Sequence, residues 1–152
     1  MGRALVVGRG NTGRMITVEL ALLLRDAGLR WRPASGDRFT VLRPGLEDEV
    51  FTISEMTIEP HEYPTGTVLG FNGTTEWALD SVAQEDAIWL PREDQLRDLL
   101  GATFRSLARS TMGAYQVVVE RSGHFEESFW GDTAEEAYAN AVLALVSAAV
   151  KA

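Results

Sequence analysis

The chain has 152 residues, 45% hydrophobic and 24% charged, with a net charge of -8 and no cysteine. That length suits one ordinary domain, which buries about two thirds of the surface its unfolded chain exposes. The composition excludes disulfides, thiolate metal sites and a cysteine nucleophile, and the acidic surplus opposes nucleic acid and anionic lipid, both of which attract clustered Lys and Arg. No apolar run reaches the roughly 18 residues that span a bilayer, and the N-terminus lacks a signal-peptide pattern. The expectation is a cytoplasmic protein without a membrane or nucleic-acid partner.

Residues 4–7 (Ala-Leu-Val-Val) read as a short strand, and Gly8-Arg9-Gly10-Asn11-Thr12-Gly13 matches the dinucleotide fingerprint G-x-G-x-x-G. That makes Gly8, Gly10 and Gly13 the candidate cofactor-binding residues. A dinucleotide fold should then reach a second parallel strand ending in an acidic residue that takes the ribose hydroxyl. Residues 29–37 instead form a polar stretch broken by Pro33. Met15 is a candidate translation start, so residues 1–14 read as an N-terminal extension, flexible or coil, and 15–152 as a single domain. The glycine motif then belongs to the extension, and no cofactor is expected.

A helix is expected over 16–27, with Ile16, Leu20, Leu23, Leu24 and Ala27 on one face and Gly28 as its stop. Three strands follow at 38–42, 50–58 and 67–71. The turn signals Pro44-Gly45 and Pro64-Thr65-Gly66 between them imply tight reversals and antiparallel pairing. Asn72-Gly73-Thr74-Thr75 offers cap residues for a helix over 76–83. Ile88-Trp89-Leu90 then leads into a helix with Pro91 at its first position, Leu96, Leu99 and Leu100 as its stripe and Gly101 as its end. Phe104, Leu107 and Ala108 have the spacing of a short extra helical turn. Strands at 115–121 and 125–130 around Ser122-Gly123-His124 read as a hairpin.

Asp132-Thr133-Ala134-Glu135-Glu136 offers a capping box, two ways round, for a last helix. From Ala141 onward this helix is apolar nearly all round, so it is expected to pack on its own sheet or on a second copy of the protein. The sum is an α+β fold, an antiparallel or mixed sheet of about five strands covered by helices, in the order α-β-β-β-α-α-β-β-α. The weakest point in the chain, and the candidate boundary, is 102–113.

Four stretches carry a resemblance: Trp31-Arg32-Pro33-Ala34-Ser35-Gly36-Asp37-Arg38-Phe39, Phe51-Thr52-Ile53-Ser54-Glu55-Met56-Thr57, Phe71-Asn72-Gly73-Thr74-Thr75-Glu76-Trp77-Ala78-Leu79-Asp80 and Trp89-Leu90-Pro91-Arg92-Glu93-Asp94-Gln95-Leu96. Together they resemble a family of small actinobacterial proteins, members of which are sometimes labelled pilus assembly proteins. The Trp-Leu-Pro helix and the final capped helix are also similar to small phage-type α/β sandwich domains. The resemblance implies a fold and no catalytic residues. The pilus label implies a partitioning-type ATPase, and the chain has no G-x-x-x-x-G-K-[ST] loop.

The best polar constellation is His61 with Glu62, Glu59 and Glu55, joined by Asp80 and Glu76. A carboxylate beside a histidine suits a general base, but Glu-Pro-His-Glu-Tyr-Pro before a turn reads as an exposed loop. His124 sits in a hairpin turn, and the chain has neither a G-x-S-x-G elbow nor an H-E-x-x-H pair, so no catalytic or metal residues are assigned. Trp31, Trp77, Trp89 and Trp130 all adjoin element ends, where an indole buries its rings and keeps its N–H near a partner. The candidate ligand or partner surface is Trp77, Trp89, Phe71 and Tyr63, with Asn72, Thr74 and Thr75 as polar donors beside them. Two functions fit: a non-catalytic binding or assembly module with a protein partner, dimeric through its C-terminal helix, or a small nucleotide-binding protein or enzyme using the Gly8–Gly13 loop or the His61/Glu62 region.

Overall fold

A computed structural model of the chain describes residues 15–45, 49–53, 59–63, 66–70, 81–83 and 86–151. Among them are three α-helices and three antiparallel sheets of three strands each, so the fold is α+β. Among the described residues the strands pair as these three ribbons, and a single sheet of about five strands is not among them. They fall into two compact units, residues 31–90 and residues 15–30 with 91–151. The changeovers lie at Arg30/Trp31 and Leu90/Pro91, whereas the 102–113 stretch read as weakest is interior to the second unit.

In the first unit β1 (Arg38–Val41) is the middle strand of a ribbon, with β2 (Phe51–Thr52) and β6 (Ala87–Trp89) on its two sides. Phe39 lies opposite Phe51 on one flank and Trp89 on the other. An aromatic row of this kind is the unit of sheet stabilisation. Phe39, Thr40 and Val41 are all buried, so β1 is covered on both faces. Thr40 satisfies its hydroxyl by donating to the Glu49 carbonyl at 2.8 Å. Backbone bonds from Leu42 N to Asp86 O and from Leu90 N to Arg38 O, each 2.8 Å, extend the ladder at both ends.

The other ribbon of this unit is β3 (Glu59–Tyr63), β4 (Gly66–Gly70) and β5 (Ser81–Ala83), in that order. Two expectations change here. The Glu-Pro-His-Glu-Tyr segment read as a loop is a strand, and among the described residues it lies at the edge of its ribbon, a position that tolerates Pro60. Ser81–Ala83, placed at the end of a helix over 76–83, pairs with β4 instead. Of the strand expected over 50–58, Phe51–Thr52 and Glu59 are in strands, and 54–58 lie outside the described residues.

The second unit begins with α1 (Val18–Ala27), which starts two residues later than expected because Thr17 is its cap, accepting from Leu20 N at 3.1 Å. Gly28 ends it at φ 117, a left-handed conformation that costs glycine little. The helix α2 (Glu93–Leu100) begins after Arg92, whose extended backbone and whose amide, donated to Gln95 Oε1 at 3.0 Å, make it the cap. Pro91 therefore sits just before the cap and not at the first helical position. A single 3-10 turn, Gly101–Thr103, leads into β7 (Phe104–Arg109).

The strand β7 replaces the expected helical turn. A bulge between Phe104 and Ser106 puts Phe104 opposite Val119 and Leu107 opposite Val117. Two residues three apart thus share a face, which imitates helical spacing. The strands β8 (Tyr115–Val119) and β9 (Glu127–Gly131) form the expected hairpin. α3 (Ala134–Lys151) packs on β8 and β9, and α1 and α2 both pack on α3. Half of its capping box forms: Glu136 N donates to Thr133 Oγ1, whereas the Glu136 carboxylate takes the amide of Asp132, one residue ahead of the cap, each at 3.1 Å. Leu20, Leu24, Leu96, Leu100, Val117, Val119, Tyr138 and Val142 make the core of this unit.

Candidate functional site

Of the surface read from the sequence, Phe71, Asn72, Thr74, Thr75 and Trp77 lie outside the described residues, as do Gly8, Gly10 and Gly13 and the acidic residues Glu55, Glu76 and Asp80. Tyr63 ends β3 opposite Gly66, with Glu62 opposite Thr67 and His61 opposite Val68.

Trp89 is the member of that surface whose surroundings are defined. It stands half-buried in β6, its ring nearly parallel to that of Trp31, 9° apart with centroids at 6.4 Å. Trp31 also meets Phe39 at 5.5 Å, and Phe39 meets Phe51 at 5.5 Å. The four rings make one continuous aromatic cluster. Trp31 Nε1 donates to the Asp37 carboxylate at 2.9 Å, and the same oxygen accepts the Ala34 amide at 3.0 Å. Asp37 is buried, so these bonds offset the cost of taking its charge out of water. Trp89 Nε1 is buried and has no hydrogen-bond partner among the described residues. Trp31 and Trp89 are thus the two half-buried members of this cluster, and Phe39 and Phe51 its buried ones.

In the second unit three surfaces stand out. The sheet covers its inner face with α3 and leaves the other carrying Ser106, Ala108, Gln116, Val118, Ser128 and Trp130. Trp130 is 51% exposed. Gln116 Nε2 donates to Ser128 Oγ across the strands at 2.9 Å, which keeps this face polar around the indole.

The second surface is the later half of α3. Residues 137–150 contain no charged side chain, yet Leu143, Ala144, Leu145, Val146, Ser147 and Ala148 are all only half-buried and Ala149 is exposed. The earlier half is different: Ala137, Tyr138, Ala139, Ala141 and Val142 are almost wholly covered.

The third surface lies at the end of the sheet where β8 turns into β9. Arg105 reaches across to Glu120 at 3.1 Å and also donates to the Ala102 carbonyl at 2.7 Å; Arg121 reaches Glu127 at 2.9 Å. Sequence reasoning missed both pairs, because the partners lie 15 and 6 residues apart and meet only through strand register. The one signal was Arg121 and Glu127 flanking the same expected turn. His124 is exposed there, as its place in a turn implied.

Among the described residues two side chains have displaced titrations. The Arg92 guanidinium bonded to Asp94 holds that carboxyl below its usual range, and burial, with the Glu93 charge nearby, pushes the Tyr138 phenol up. Among the described residues no three His, Asp or Glu side chains are grouped to hold a metal ion, and no helix is long and apolar enough to cross a membrane.

No family model, no curated protein and no solved structure matches this chain.

Proposed function

We propose that this chain is a non-catalytic binding or assembly module of the cytoplasm, of the small actinobacterial kind its sequence resembles, that works through a protein-partner surface and self-associates through α3. The observation that supports this reading is the half-buried state of Leu143 to Ala148 on a helix with no charge from 137 to 150. Apolar surface left partly in water contributes about 25 cal/mol for each Å² that a partner covers. A second copy offers the same uncharged strip, which matters for a protein whose net charge of -8 repels its own kind everywhere else.

Light scattering over a wide concentration range tests it. The mass should rise from 16.7 kDa toward twice that value, and salt should favour the dimer by screening the net charge. Val146→Glu should shift the equilibrium back to monomer while leaving the circular dichroism spectrum in place. A monomer at every concentration would refute self-association. A strong thermal shift with NAD(P) or ATP would instead favour the nucleotide-binding alternative.

A further inference from the structure

Strand register lays out the outward face of the β7–β8–β9 sheet in two rows. Trp130 stands opposite Gln116 and Gln116 opposite Ala108; in the next row Ser128 stands opposite Val118 and Val118 opposite Ser106. Ser106, Ala108, Ser128 and Trp130 are exposed, and Gln116 and Val118 are half-buried. One large aromatic ring thus flanks a floor of smaller side chains. None of the six is charged, in a chain that is 24% charged with a net charge of -8.

The polar groups beside the ring are held and only partly used. Asn140 Nδ2 donates to the Trp130 carbonyl at 2.8 Å, which ties the strand under the indole to α3. Gln116 Nε2 donates to Ser128 Oγ at 2.9 Å, and that bond leaves Gln116 Oε1, the Ser128 hydroxyl proton and the Trp130 indole N–H without a partner among the described residues. Size and charge then select the occupant. With strands about 4.8 Å apart and same-face residues about 6.8 Å apart along each strand, the two rows cover on the order of 200 Å². A standard protein interface takes about 800 Å² from each partner, so the face is too small to hold a folded protein or a second copy. It also offers no counter-charge to a phosphate or a carboxylate. A small neutral ligand with an apolar face and hydroxyls at its rim is what fits, and a pyranose ring with equatorial hydroxyls has that form. Its axial C–H bonds carry partial positive charge, which the negative face of an indole attracts.

We infer that this face binds a neutral saccharide of the gluco configuration, one ring lying on Trp130 with its hydroxyls bonded to Gln116 and Ser128, and a neighbouring ring over Ala108 and Ser106. The helix α3 covers the opposite face of the sheet, so saccharide binding is separate from self-association and leaves the mass in solution unchanged.

The test is a titration of the full ¹⁵N-labelled chain with maltotriose, with cellotriose and with a proline-rich peptide, read at the Trp130 indole and Gln116 side-chain signals. Saturable shifts with at least one trisaccharide are expected, and the tighter of the two identifies the preferred linkage. Trp130→Ala should weaken binding about tenfold or more, while Trp130→Tyr, which keeps an aromatic ring, should retain part of it. Ala108→Glu places a charge and extra bulk on the face without altering the indole, and it should weaken binding as well. If Trp130→Ala does not fold by circular dichroism, Ala108→Glu carries the test alone. The inference is overturned by no saturable shift with either trisaccharide, by binding that both Trp130→Ala and Ala108→Glu leave unchanged, or by shifts with the peptide and neither sugar.

Discussion

Gly131 closes β9 where α3 comes down on the sheet. A Cβ built there would stand 2.5 Å from Ala137 N and 2.8 Å from Glu136 Cβ, closer than real atoms approach, and the obstacle is helix backbone that cannot rotate away. Gly131→Ala should therefore lower stability by about 1–3 kcal/mol through overpacking, seen as an earlier urea midpoint. Asp37 is the corresponding residue of the first unit. Its carboxylate accepts both Trp31 Nε1 and the Ala34 amide, so Asp37→Ala should cost about 1–3 kcal/mol by stranding two donors. The loss should be accompanied by a red shift in tryptophan emission as Trp31 loosens from Trp89. An equal loss from Asp26→Ala, an exposed aspartate paired with its neighbour Arg25, would mean that the Asp37 effect is not one of burial.

At the level of elements, legibility followed how local the determining physics was. The helix stops Gly28 and Gly101 and the start of α3 at Thr133 and Glu136 were legible, whereas the starts of α1 and α2 were not, because the caps fall on Thr17 and Arg92 rather than ahead of Ile16 and Pro91. The β8–β9 hairpin was legible from its turn and from the alternation of Val117 and Val119. The strand β7 was not, because its bulge converts period two into a spacing of three, and β3 was not, because Pro60 argues against any strand except at an edge. Trp89 was recognisable as a notable residue, yet its stacking on Trp31 depends on a fold-level approach. The capping box gives a clean test. Thr133→Ala should cost about 1 kcal/mol, while Thr133→Ser should cost much less because the accepting oxygen is retained. Equal losses for the two would show that the Thr133 methyl group, and not the cap bond, is what matters.

At the scale of the molecule, the least legible feature is that α1 belongs with the C-terminal half of the chain, packed on α3, although sixty residues of the other unit intervene between Arg30 and Pro91. Nothing local encodes this; an amphipathic face states that a partner exists but not which one. The consequence concerns autonomy. All the buried residues of α1, α2, β8 and α3 lie in 15–30 and 91–151, so a chain joining 15–30 to 91–152 through a flexible Gly/Ser linker should fold with native-like helicity. Tyr138 supplies a reporter for the test. Its phenol, buried and packed on Phe104 at 5.7 Å, has a folded pKa raised above the ordinary 10.0. Its contribution is fully present below pH 10.0 and is lost as pH rises through the folded value, because the unfolded chain releases that proton first. Both the full chain and the linked unit should therefore lose stability above that pH, and Tyr138→Phe should flatten the decline in each. A linked unit that keeps its helices but ionises Tyr138 like a free tyrosine would have secondary structure without the native core.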